Sequence, residues 1–221
     1  MTISVDVISD VVCPWCFIGK RRLEEALVLW RERHPDDEPE VRWHPFELNP
    51  DMPATGMDRN QYLAQKFGGP DRAGEIYARV ENAGREADIA FDFSRMQVQP
   101  NTVNAHRLIA WAGALGLQGS MVDALFQGYF LEARNFASDD VLVEVAGGAG
   151  FDRSEAADLL ASEELTDHVR KEEETAHRIG VQGVPFFIFN QRVALSGAQP
   201  AGVIVDAMEE ALKPVAEEDA P

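Results

Sequence analysis

The sequence predicts an α/β fold in which a βαβ half and a ββα half are separated by a long all-helical insertion. Two observations carry this expectation. Period-2 apolar patterning occurs near the front of the 221-residue chain (residues 3–9 and 41–44) and near its back (186–195), while the stretch between is helical in period. A run of helices inside an α/β pattern is best explained as an inserted subdomain. The divisions expected are an N-terminal half at 1–57, the helical insertion at 58–179 and a C-terminal half at 180–221.

In chain order, Ile3, Val5 and Val7 alternate with polar neighbours and define the first strand. Pro14 suits a first helical position, where its missing N–H costs nothing. Leu23, Leu27 and Trp30 follow at helical spacing, and His34-Pro35 stops the helix. After the acidic loop Asp36-Asp37-Glu38-Pro39, Val41 to His44 form a second strand, ended at or soon after Pro45. Asp58-Arg59-Asn60-Gln61 has the spacing of a capping box, and Gly68-Gly69-Pro70 separates its helix from one over about residues 71–87. Asn101-Thr102 caps a helix carrying Val103, His106 and Ile109, and further helices are expected near 120–131, 138–146, 154–161 and 162–178. Beyond Gly180-Val181-Gln182-Gly183, residues 186–189 and 192–195 flank Asn190-Gln191 as a hairpin, followed by a helix over about 201–212. Glu217-Glu218-Asp219 reads as a frayed acidic tail.

Composition narrows the function. An apolar fraction of 45% supports a real core. A net charge of −18 argues against a nucleic-acid or anionic-membrane footprint. No segment has the apolar length to span a bilayer, and the strand begins directly after Met1 with no secretory leader. A cytoplasmic protein is therefore expected, and in that compartment a lone cysteine pair is catalytic or redox-sensing rather than a structural bridge.

The only two cysteines, Cys13 and Cys16, bracket Pro14-Trp15 at the first strand–helix turn. Such a pair is either a redox couple or half of a metal site. Zinc wants four ligands, and none of His34, His44, His106, His168 and His177 has knuckle spacing to the pair, so no metal is expected. The thiolate is the attacking species. At the N-cap, Cys13 would face unpaired backbone N–H groups and the positive dipole end, a contribution of about 0.3–2 kcal/mol toward its thiolate form. Cys16, one turn deeper, lacks those donors and is the natural resolving thiol. Trp15 brings no cation to the thiolate, and Asp10 would oppose ionisation if it approached the sulfur, so an intermediate reduction potential is expected.

The segment Ser9–Lys20, containing Cys13-Pro14-Trp15-Cys16-Phe17-Ile18-Gly19, resembles the active-site segment of DsbA-type thioredoxin-fold oxidoreductases, in particular their FrnE-like branch. The likeness continues in order through Trp43–Pro50, Asn101–Leu108, Gly180–Phe187 and Ser196–Gln199, nearly the whole chain. The resemblance implies a thioredoxin fold, with a central mixed sheet, interrupted by a helical insertion. It also implies a cis Val184–Pro185 peptide facing the dithiol, with the Val184 backbone free to pair with an extended peptide or glutathione; on the residues alone Pro185 equally begins an edge strand. Asn49 matches a position that contacts the thiol cofactor in the related 2-hydroxychromene-2-carboxylate isomerases and kappa-class glutathione transferases, or it simply turns the loop into Pro50. Trp15 is either a substrate-contacting aromatic or cover over Cys16. His106 fits a hydrogen-bonded packing role. Ser196-Gly197 precede a helix N-terminus and fit a plain turn better than a carboxylate site. Lys20, Arg21 and Arg22 fit solvated surface charge.

The leading expectation is an enzyme exchanging its dithiol with protein or peptide disulfides and with small thiols such as glutathione. It needs no bound cofactor, glutathione entering as a co-substrate. The alternative is a glutathione-dependent isomerase or transferase on the same fold. The related isomerases carry serine at the Cys13 position, which tells against it. A peptide-binding module without catalysis is the third class.

Overall fold

A computed structural model describes residues 2–214; Met1 and residues 215–221, with the acidic Glu217–Asp219 stretch, lie outside the described residues. Strand β1 (Ser4–Ser9) leads into helix α1 (Pro14–Arg33) and strand β2 (Glu40–Pro45), and the chain closes with β5 (Phe186–Phe189), β6 (Val193–Ser196) and α9 (Ala201–Leu212). These four strands form one mixed sheet in the order β2-β1-β5-β6. β1 runs parallel to β2 and antiparallel to β5, and β5 is antiparallel to β6. This is the thioredoxin arrangement that the family resemblance implies.

Helix α1 ends where predicted, His34 N–H donating to the Trp30 carbonyl at 2.8 Å. The hairpin turn places Asn190 and Gln191 at φ 48° and 56°. Asn tolerates that left-handed region better than most residues do.

Between the halves lie β3 (Met57–Asp58), α2 (Arg59–Phe67), α3 (Pro70–Arg85), a 3-10 turn at Phe93–Arg95, β4 (Val98–Gln99), α4 (Val103–Ala114), α5 (Gln118–Phe130), α6 (Asp139–Gly148), α7 (Arg153–Ala161) and α8 (Thr166–Arg178). Asp58 Oδ1 accepts from the Gln61 N–H at 3.0 Å, as the capping spacing predicts. Two features differ from the sequence expectation. β3 and β4 form a short antiparallel ladder within the helical segment; two-residue strands carry no readable period. Helix α8 starts at Thr166 rather than 162, because the buried Arg107 guanidinium donates to the carbonyls of Leu159 (2.6 Å), Ser162 (2.7 Å) and Glu164 (2.7 Å) and holds the connection out of helix.

The main core is continuous from sheet to insertion. Phe17 of α1 stacks on Phe126 of α5, with centroids 5.2 Å apart and planes 8° from parallel. Each such buried aromatic contributes about 1.5–3 kcal/mol, so this stack ties α1 to the insertion. A smaller cluster of Ile8, Phe46, Ala176 and Val181 lies where β1 and β2 meet α8 and the chain after it. The edge of β2 is covered by Gln118: its Oε1 accepts from the Trp43 N–H at 2.8 Å, and its Nε2 donates to the Trp43 carbonyl at 3.0 Å. One side-chain amide thus satisfies both backbone groups of Trp43 on that edge. Among the described residues, no helix is long and apolar enough to cross a membrane.

Candidate functional site

The dithiol sits where β1 gives way to α1. The turn is closed by Cys13 N–H donating to the Asp10 carbonyl at 3.0 Å. Cys13 is the N-cap of α1, extended at φ −90° and ψ 111°, and Pro14 occupies the first turn. Its carbonyl accepts from the N–H groups of Cys16 at 3.0 Å and Phe17 at 3.4 Å, which fixes Cys16 one turn inside. Both residues carry free thiols.

Cys13 is only 4% exposed and Cys16 1%. This is more cover than an attacking thiol was expected to have, and its source is the loop before β5. There the Val184–Pro185 peptide is cis, and the Cys13 thiol donates to the Val184 carbonyl at 3.6 Å. The loop is anchored from behind by Gly197 N–H, which donates to the Pro185 carbonyl at 2.8 Å, so Ser196-Gly197 serve as a turn that holds the loop. Gly19 anchors it from below: a Cβ there would stand 2.9 Å from Pro185 Cγ and 3.3 Å from Phe187 Cζ. The sequence reasoning assigned Gly19 no role; its signal is the spacing, three residues after Cys16 and hence on the same helix face.

Burial pushes the Cys16 thiol well above its ordinary range, Cys13 beside it and the Asp10 charge push the same way, and a backbone hydrogen bond from Asp10 acts against them. Asp10 is fully buried, and its charge acts on Cys16. Its Oδ2 accepts from the Leu48 N–H at 2.8 Å and ties the exit of β2 to the dithiol turn. His106 of α4 faces it, Nε2 lying 3.5 Å from Asp10 Oδ1.

The other candidates separate. Trp15 is 39% exposed and faces outward beside Cys13. Asn49 Oδ1 accepts from Lys66 Nζ at 3.2 Å, in a cleft of about 410 Å³ with Met52, Met57 and Tyr62. Lys20 corrects the surface-charge expectation. It is 5% exposed and pairs with Glu24 and, at 2.8 Å, with Asp123 of α5, because docking of the insertion covers that face of α1. His44 sits between two carboxylates: Nε2 lies 2.9 Å from Asp6 Oδ1 and Nδ1 2.6 Å from Glu172 Oε2. Burial pushes its pKa down, but the two carboxylates outweigh that and raise it. Among the described residues, no group of three or more His, Cys, Asp or Glu side chains is placed to hold a metal ion.

Known proteins share this architecture. The solved structure of the probable DsbA oxidoreductase SCO1869 from Streptomyces coelicolor superposes with a TM-score of 0.87 at 31% identity, over 97% of this chain and 93% of that one. The uncharacterized protein YwbO of Bacillus subtilis is 28% identical over 96% of this chain and 99% of its own length. The cytosolic disulfide reductase DsbM of Pseudomonas aeruginosa, solved with GSH, shares the fold with a TM-score of 0.53 at 21% identity, over 94% and 95% of the two chains. A family model described as DSBA-like thioredoxin domain matches residues 4–209, and the chain belongs to that family.

Proposed function

We propose that the protein is a thiol–disulfide oxidoreductase that exchanges its Cys13–Cys16 dithiol with disulfides of proteins or peptides. Cys13 is the nucleophile. Its thiolate attacks a substrate disulfide, one substrate sulfur leaves as a thiolate, and a mixed disulfide remains on Cys13. Cys16 then attacks Cys13, closes the internal disulfide and releases the second substrate thiol. The observation that carries this is the placement of Cys13 at the N-cap of α1 with Cys16 one turn behind it. The unsatisfied N–H groups of the helix start favour negative charge on the first sulfur, while burial keeps the second as a thiol until it is needed.

Val184 and Pro185 border the attacking sulfur, and with exposed Trp15 they form the surface on which an extended substrate would lie. Glutathione is proposed as a small-thiol co-substrate, with Asn49 at the margin of its site, and no bound cofactor is required. The cytoplasm is the proposed compartment, in keeping with a chain whose two cysteines form one couple.

Insulin reduction with dithiothreitol tests the proposal. Turnover is expected in the wild type and lost in Cys13→Ser, and Cys16→Ser should accumulate a mixed disulfide on Cys13. Turnover that survives Cys13→Ser contradicts the proposal. Glutathione-dependent isomerisation that survives Cys16→Ser would favour the alternative isomerase or transferase reading.

A further inference from the structure

Arg22 reads in sequence as the last of three solvated cations on α1, yet its side chain is only 19% exposed. The guanidinium bridges three elements. Nη1 donates to the Ala198 carbonyl, in the turn between β6 and α9, and Nη2 stands 3.8 Å from Glu86 Oε2 at the end of α3. Glu86 is 76% exposed, so that ion pair is screened and weak. The bond to Ala198 is the stronger hold, because a charged donor strengthens a hydrogen bond to a neutral carbonyl.

Ala198 belongs to the turn that holds the loop over Cys13. Gly197 stands in that turn at φ 81°, in the left-handed region that glycine adopts at no steric cost. Gln199 braces the turn twice, its N–H donating to the Gly197 carbonyl at 2.9 Å and its Nε2 to the Ser196 carbonyl at 3.0 Å. Gly197 N–H reaches the Pro185 carbonyl at 2.8 Å. Across the Val184–Pro185 peptide, the Val184 carbonyl accepts from the Cys13 thiol at 3.6 Å. A chain of hydrogen bonds therefore runs from Arg22 to Ala198, from Gly197 to Pro185 and from Val184 to Cys13, each joined to the next by a single peptide unit.

Helix α1 meets this loop at two levels. Gly19 lies so near Pro185 that a Cβ there would stand 2.9 Å from Cγ, which sets how closely the loop can approach. A glycine cannot hold the loop in place. Arg22 lies three residues further along the helix, on the neighbouring part of the same face, and supplies the hold through Ala198. The helix that carries the nucleophile at its N-cap thus also fixes the height of the loop above it.

We propose that Arg22 is a positioning residue for disulfide exchange: acting through Ala198, Gly197 and Pro185, it sets where the Val184 carbonyl stands over Cys13. The proposal rests on the oxidoreductase reading above. Arg22 does not touch substrate. An extended peptide that pairs with the Val184 backbone is delivered to Cys13 only as accurately as the loop is held, and a misplacement of about 1 Å costs up to about a hundredfold in rate. The same hold keeps small reagents from a sulfur that is 4% exposed. Its release has opposite consequences for the two kinds of reagent. Extended substrates bind less well, and small ones reach Cys13 more easily.

The test compares the wild type with Arg22→Met, which keeps the apolar stem and loses the donors, and with Arg22→Lys, which keeps one charged donor. Two rates are read: reduction of a fluorescent peptide disulfide, and alkylation by iodoacetamide resolved by mass spectrometry at each cysteine. In Arg22→Met, kcat/KM for the peptide should fall about tenfold or more, mainly through KM. Alkylation of Cys13 should speed severalfold while Cys16 stays protected. Arg22→Lys should fall between Arg22→Met and the wild type. A folded Arg22→Met with wild-type KM and wild-type Cys13 alkylation overturns the proposal. So does a variant in which kcat alone falls and both cysteines alkylate together, because that is general loosening of the fold. Failure of the oxidoreductase reading looks different: the wild type itself does not reduce the peptide, while Cys13 alkylation still reports the position of the loop. NMR of the wild type needs no variant. The Arg22 guanidinium should show separate, slowly exchanging Nη signals, and one averaged signal refutes the bond to Ala198.

Discussion

Replacing Glu47 by glutamine should change stability with a sign and size that follow from where the side chain sits. Burial first, then the charge of Glu173, pushes its carboxyl from the ordinary 4.5 to about 7. Below pH 4.5 it is protonated folded or unfolded and contributes no pH dependence. As pH rises, the unfolded chain ionises first, so the folded state loses stability until the folded carboxyl has ionised as well. At about 1.36 kcal/mol for each pH unit of displacement, the loss amounts to about 3 kcal/mol. Glutamine has nearly the same shape and does not ionise, so it escapes this penalty. The stability of Glu47→Gln minus that of the wild type should therefore rise by about 3 kcal/mol between pH 4.5 and pH 8. Titrating groups that do not interact with Glu47 are common to both proteins and cancel in the difference. Urea denaturation at several pH values, with a thiol reductant present, measures it. A difference that stays flat or falls with rising pH would refute the argument that Glu47 is held as a buried acid.

Other substitutions probe the frame of the site. Gly19→Ala drives a methyl into Pro185, 2.9 Å away, and should cost about 1–3 kcal/mol by overpacking; the displaced loop should also speed alkylation of Cys13 by iodoacetamide, and an unchanged rate would speak against the loop as its cover. His44, raised by Asp6 and Glu172, contributes stability that is fully present below the ordinary histidine range and is lost as pH rises through its raised folded value. His44→Gln should abolish that pH dependence in thermal melts, and NMR of the wild type should show its imidazole titrating above the usual range. Gln118→Ala removes both hydrogen bonds to Trp43, a loss of about 1–3 kcal/mol in denaturation.

Much of the frame was legible because it is written locally. Alternation marked β1 and the hairpin, Pro14 marked the start of α1, and Asp58 with Gln61 marked the start of α2. The cysteine pair could be placed on its helix end from spacing alone. What escaped was set at a distance. The start of α8 depends on Arg107 reaching across from α4, and the burial of Lys20 depends on Asp123 of α5. The ladder between β3 and β4 is too short to show a period. The same limit hid the burial of other ionisable groups. Asp10, Glu47 and His106 each look ordinary in sequence, and only the docking of α4 and α8 against the ends of β1 and β2 encloses them.

The most direct measurement is a redox titration of the wild-type protein in graded mixtures of reduced and oxidised glutathione, quenched with acid, alkylated and weighed by mass spectrometry. A reversible two-electron transition that links Cys13 to Cys16 is expected. Persistent single glutathione adducts, or two thiols that never join at any ratio, would contradict the account.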